Sequence, residues 1–196
     1  MKKLVIKTSL ITLACIVGAM LIAFGVTALF APVKMADFFD GVGNYSASVF
    51  FYEKQYKKTQ EISDLELLVS KMDRQDAYEK GYLKELVEHE DFYSYTDGKG
   101  HLITTAEYYY GEYSLALLEN GKFEDSLAVA KSYVDKYGYT TYNPLSAVID
   151  QTLPNANVGQ IDGLISVLQT VENGKSGEEL NRIQKDLQRL NDAKNS

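Results

Sequence analysis

The chain is 196 residues long, with a net charge of −7 at neutral pH and 12% aromatic residues, none of them tryptophan. Acidic residues outnumber basic ones, 27 to 20, which argues against nucleic acid or an anionic headgroup surface as the main partner. Its one cysteine, Cys15, excludes an internal disulfide and a cysteine metal cluster.

The first predicted element is also the most decisive. Thr8–Ala31 holds no charge and would extend about 36 Å as a helix, more than the roughly 30 Å hydrocarbon core of a bilayer. Its apolar side chains fall all round the helix, so a water-soluble setting would require complete burial. Lys2, Lys3 and Lys7 precede it, whereas Lys34, Asp37 and Asp40 follow. The positive-inside bias therefore places a basic tail, residues 1–7, in the cytoplasm, and sends 32–196 outside the cell membrane. A cleaved signal ending at Val26-Thr27-Ala28 and a lipoprotein signal ending at Cys15 use the same residues. The apolar run is long for the first, and Thr12-Leu13-Ala14 fits the second poorly. A retained single-pass anchor is the favoured reading.

Residues 32–43 read as a juxtamembrane linker, with Pro32 ending one helix or starting a short one and Gly41 and Gly43 breaking it. A helical domain over 44–196 follows. Tyr45, Val49, Tyr52 and Tyr56 recur at helical spacing after an Asn44 cap, with Phe50 and Phe51 off that stripe. Asn44-Tyr45-Ser46 also matches a glycosylation acceptor, but the cap is preferred. Ser63 with Glu66 predicts a capping box for a helix bearing Leu65, Leu68, Val69 and Met72. A turn over Asp73–Asp76 leads to a helix over Ala77–His89, and Glu90–Gly100 is the longest loop. Thr104 with Glu107 predicts a second capping box for a helix running to Glu119, ended by Asn120-Gly121. A return helix carries Phe123, Leu127, Ala130, Tyr133 and Val134 and closes at Gly138. Asn143-Pro144 starts the next, which stops before Pro154. Ile161, Leu164, Ile165 and Leu168 mark another, halted at Asn173-Gly174. Ser176 with Glu179 predicts a third capping box, for a C-terminal capping helix over 177–194 with Leu180, Ile183, Leu187 and Leu190 on one stripe. No stretch alternates long enough to predict a sheet, and the class is all-α.

The pair from Thr105 to Gly138 resembles one degenerate unit of the tetratricopeptide-repeat family. Tyr110, Tyr113, Ser114 and Leu117 match that family's first-helix positions. Gly121, Phe123, Ser126 and Ala130 match the turn and second helix, while Tyr133 and Gly138 depart from it. Tyr78-Glu79-Lys80-Gly81 echoes Phe123-Glu124-Asp125-Ser126. The resemblance implies a stack of helical hairpins that binds a protein or peptide; an irregular helical bundle is the alternative.

Motifs for chemistry are weak. Gly174-Lys175-Ser176 lacks the leading glycine of a phosphate loop, and a helix stop followed by a Ser176 cap explains it. Asp97–Ile103 looks like a calcium loop, yet Tyr95, Lys99 and Ala106 would stand where carboxylates are needed. His89 and His101 are the only histidines. No nucleophile context, paired-carboxylate motif or dinucleotide fingerprint is present, so no catalytic, cofactor or metal residue is expected. Candidate partner-binding residues are Tyr109 and Tyr113, four apart and able to line one groove, and Phe50 and Phe51; packing between helices is the competing use of those rings. The expected function is a non-catalytic, membrane-anchored scaffold or adaptor. A structural subunit associating through the membrane helix and an envelope enzyme are the alternatives.

Overall fold

The computed structural model describes residues 2–89, 92 and 102–195, with backbone alone for 2–11 and 102–105. The fold is all-α, with no strand among the described residues. The chain forms two compact units divided between Lys71 and Met72. Two helices that follow Asn44 cluster with the N-terminal apolar helix in the first unit.

The first unit begins with α1, Lys2–Phe30. Within it, Thr12–Phe30 is 19 residues long and apolar enough to cross a membrane. Leu13, Ile16, Met20, Leu21, Val26 and Leu29 are all exposed around it. Helix α2, Pro32–Gly41, starts immediately after Ala31, with proline at its first position, where no intrahelical N–H is needed. Part of the expected linker is thus helical. It turns back on α1, bringing Phe39 within 6.1 Å of Phe24, ring to ring. Gly43, at φ +76°, makes the next reversal. Asn44 then caps α3, Tyr45–Thr59, accepting a hydrogen bond from the Ala47 N–H at 3.2 Å.

Helix α3 buries the C-terminal half of the expected stripe, Tyr52 and Tyr56, and not its start. Tyr45 is exposed, while Ser48, Phe51, Tyr52 and Tyr56 are buried. The face is set by α2: Phe51 stacks on Phe39 at 5.6 Å, and the Tyr52 hydroxyl donates to Asp37 Oδ1 at 2.6 Å. Helix α4, Ile62–Lys71, starts one residue before Ser63, so the first capping box does not form. Asp64 instead accepts from Thr59 Oγ1 at 2.6 Å and Gln55 Nε2 at 3.0 Å, tying α4 to α3.

The second unit opens with α5, Arg74–Glu79, capped by Asp73, and α6, Tyr82–Glu88. The single helix expected over 77–89 is broken by Gly81, whose φ of +79° no helix interior accepts. Helix α7, Leu102–Glu119, already runs at Thr104, so the second capping box is also displaced. The calcium-like stretch at 97–101, with His101, lies outside the described residues. After a turn at Gly121, α8, Phe123–Tyr137, returns against α7. Ser114 and Ser126 are both fully buried where the pair meets, and Ser126 Oγ donates to the Ser114 carbonyl at 2.7 Å. Helix α9, Pro144–Thr152, capped by Asn143, packs on both members of this pair. A 3-10 turn, Leu153–Asn155, leads to α10, Val158–Glu172, which packs on α8 and on α11, Gly177–Lys194. A complete capping box forms from Asn157 and Gln160 at the start of α10.

Candidate functional site

An open groove in the second unit has α7 as its floor, with α5 and α6 on one side and α8 on the other. One section of about 550 Å³ is lined by Tyr78, Lys84, Tyr113, Leu117, Lys122 and Val129 among others. A second, of about 370 Å³, is lined by Val87, Tyr110, Tyr113, Ser132 and Lys136 among others. Glu88, Tyr113, Ala128 and Val129 belong to both, so the sections form one trough. The α7 residues at its floor, Tyr110, Tyr113 and Leu117, are nearly buried, and the exposed lining comes from α5, α6 and α8.

Each section carries a lysine over a tyrosine. The Lys122 ammonium sits 5.6 Å from the Tyr78 ring centroid, and Lys136 stands at 5.6 Å from Tyr110. Bonding to Tyr78 holds the Lys122 ammonium above its ordinary value. Lys136 also donates to the Tyr110 hydroxyl at 2.9 Å, and that hydroxyl donates to the Val87 carbonyl at 3.1 Å. Burial, then the charge of Glu88, pushes the Tyr113 hydroxyl up. With Glu79, Glu88 and Asp125 facing Lys84, Lys122 and Lys136, the trough has an apolar floor and a balanced polar rim.

The four sequence-predicted residues are divided between the two units. Tyr113 lines both sections but is only 8% exposed, with its ring 6.4 Å from Tyr78. Tyr109 is buried against Phe92, ring centroids 6.4 Å apart, and lines neither section. The 100° step that separates neighbouring residues on a helix gives Tyr110, not Tyr109, to the trough. Phe50 and Phe51 lie in the first unit, where Phe51 is buried and Phe50 is 60% exposed.

A polar cluster around α11 was missed by sequence reasoning. Asp186, 7% exposed, accepts from the Tyr139 hydroxyl at 2.7 Å, Ser146 Oγ at 3.0 Å and Arg189 at 2.9 Å. Arg189 also reaches Asp150 at 2.6 Å. The readable signal is Asp186 standing between Ile183 and Leu190 at helical spacing, on the face that packs. Tyr139 has its hydroxyl pushed well up, by burial first and by Asp186 as well. The cluster ties α9 and the loop before it to α11, with no side chain free to attack a substrate.

Among the described residues, no group of three or more His, Cys, Asp or Glu side chains is placed to hold a metal ion. Lys175 of the phosphate-loop-like triplet pairs with Glu179 at 2.7 Å, and Gly174, at φ +80°, follows the end of α10. Ser176 sits at the cap position of α11 without a side-chain cap bond, so the third capping box does not form. Comparison with protein-family models, with curated proteins and with solved structures finds no match for this chain.

Proposed function

We propose that this protein is a single-pass, membrane-anchored helical adaptor that holds a peptide segment of another protein in the trough over α7. The observation that carries this reading is the uncovered, apolar-floored trough beside Tyr113 and Val129 in a chain that also bears an all-round apolar helix. Cytoplasmic placement of the N-terminus and external placement of the second unit follow from Lys2, Lys3 and Lys7. The tetratricopeptide-like reading draws support from the close Ser114–Ser126 crossing and from the seating of α9 on both α7 and α8. A balanced rim of three lysines and three carboxylates suits a peptide with both charges and an aliphatic or aromatic anchor.

The test is site-specific photocrosslinking in intact cells. A photoreactive residue at Val129 should give a discrete adduct with one partner, and Ala128→Arg, at an exposed position that lines both sections, should abolish it while leaving the near-ultraviolet tyrosine dichroism unchanged. The same probe at Glu178, on exposed α11, should give none. Equal labelling from both positions, or none from Val129, overturns the adaptor reading.

A further inference from the structure

Phe24, Phe30, Phe38, Phe39, Phe50 and Phe51 all fall within the first unit, on α1, α2 and α3. Their rings touch in series: Phe24 to Phe39 at 6.1 Å, Phe39 to Phe51 at 5.6 Å, and Phe51 to Phe50 at 5.2 Å. Phe38 joins through Phe39 at 5.4 Å. Phe39, half-buried, and Phe51, buried, hold the middle of this series, but its ends are bare. Phe24 is 45% exposed, Phe38 55% and Phe50 60%. Phe38 and Met35 also share an apolar groove of about 370 Å³ with Met20, Ala23, Phe24 and Thr27 of α1, and Lys34 stands at its edge.

Charges fix the depth at which such a surface can sit. The Lys54 ammonium donates to the Ala28 carbonyl of α1 at 2.8 Å. Lys34 and Asp37 are exposed on α2. Ammonium and carboxylate groups are excluded from hydrocarbon, so the turn of α1 around Ala28 cannot lie in it. Counting back, Leu4–Phe24 covers about 31 Å of helix, a match to the roughly 30 Å core. Lys2 and Lys3 precede this stretch in the sequence, and Lys7 falls within its first turn. We propose that the far hydrocarbon boundary crosses α1 near Phe24, not at Phe30, and that Phe38 and Phe50 lie in the bilayer interface against lipid. Continuity of the Phe38 groove with the lipid-facing surface of α1 makes lipid its occupant, with an acyl chain along Met20 and Phe24 and a headgroup phosphate beside Lys34.

This inference rests on α1 being a membrane anchor, and the experiment separates the two. The chain has no native tryptophan, so single-tryptophan variants of the full-length protein report one site each. L13W, L21W, F38W, F50W and Y142W would be reconstituted in phosphatidylcholine vesicles brominated at shallow or deep acyl positions. The expected result is strongest quenching of L13W by deep bromines. L21W, F38W and F50W should lose about half their emission to shallow bromines and less to deep ones, with Y142W unaffected. Deepest quenching at L21W, with F38W and F50W unquenched, overturns the boundary while keeping the anchor. Blue-shifted but unquenched F38W and F50W would mean that protein, such as a second copy, covers the patch, and overturns the lipid assignment. Absence of quenching at both L13W and L21W overturns the anchor and this inference with it.

Discussion

The two units differ in their balance of rings, although Tyr52 and Tyr56 are buried in the first and Phe92 in the second. The first unit gathers six phenylalanines and leaves Phe38 and Phe50 bare, while the second gathers tyrosines and gives their hydroxyls partners. In the second unit Tyr110 bonds the Val87 carbonyl, Tyr139 bonds Asp186, and Tyr133 lies 3.4 Å from Thr140 Oγ1. A phenylalanine asks for nothing polar and costs little when its neighbour is a lipid chain. A tyrosine suits a core only a few ångströms from water, because burial of its ring is favourable only if the hydroxyl finds a partner. Hydroxyl chemistry thus distinguishes a water-facing core from a surface suited to lipid.

Truncations should sharpen that contrast most. Ile183 and Leu187 both lie on the stripe expected from sequence, but Ile183 is fully buried on α11 and Leu187 only half-buried. Ile183→Ala should destabilise the second unit by about 2–5 kcal/mol, and Leu187→Ala by less, since a partly exposed side chain leaves a smaller cavity. Phe38→Ala in the first unit should cost under about 1 kcal/mol, as expected for an exposed position. Melts of the full-length protein in detergent, followed by tyrosine near-ultraviolet dichroism, check the order. Equal losses at Ile183 and Leu187 would restore the sequence-derived stripe.

That stripe illustrates what was legible. The helices themselves were, because three of them end at glycines free to take positive φ and two begin at Asn-capped starts, Asn44 and Asn143-Pro144. Rotation about the axis was legible for α4, α8 and α10, whose expected faces are the buried ones, and only in part for α3 and α11. Periodicity allows several apolar faces on α3 and α11, and the partner helix chooses among them: Phe39 selects Phe51, and Tyr139 selects Asp186. Capping boxes failed for a related reason. Ser63-Glu66 and Thr104-Glu107 carry the right letters, but their helices start earlier, and Glu179 is drawn off to the Tyr139 N–H at 2.7 Å. The trough was half legible: Tyr113 was named, but Lys122, Lys136 and Val129 come together only when α8 folds back.

A second measurement tests whether hydroxyl satisfaction holds the tyrosine core together. Asp186 is the acceptor that Tyr139 needs, so Asp186→Ala should cost about 3 kcal/mol and Tyr139→Phe only about 1 kcal/mol. Alkali should expose the same bond. The folded state holds the Tyr139 hydroxyl well above its ordinary value, so the unfolded chain loses its proton first. Above about pH 10 the unfolded state binds fewer protons than the folded one, and stability falls as pH rises. Tyr139→Phe should flatten that fall. Identical alkaline slopes in the two proteins would assign the loss to other tyrosines.

The smallest expected effect lies at acid pH and concerns Glu179. Its carboxylate accepts from Lys175 and from the Tyr139 N–H, in that order of influence, and both hold it below the ordinary carboxylate value. A depressed carboxylate stabilises the fold above its unfolded value, about pH 4.5, and that contribution disappears as pH falls through the folded value. Both Lys175 and Glu179 are partly solvated, so the gain is at most about 1 kcal/mol at neutral pH. Glu179→Gln should lower stability at pH 7 by that amount and leave it unchanged at pH 2, where the native carboxyl is protonated too. Because Gln retains an acceptor for the Tyr139 N–H, the difference isolates charge from hydrogen bonding. If the two proteins differ as much at pH 2 as at pH 7, Glu179 acts by shape and bonding alone. The loop carrying Tyr139 would then owe its position to the buried Asp186 cluster, and charge at the start of α11 would contribute nothing to it.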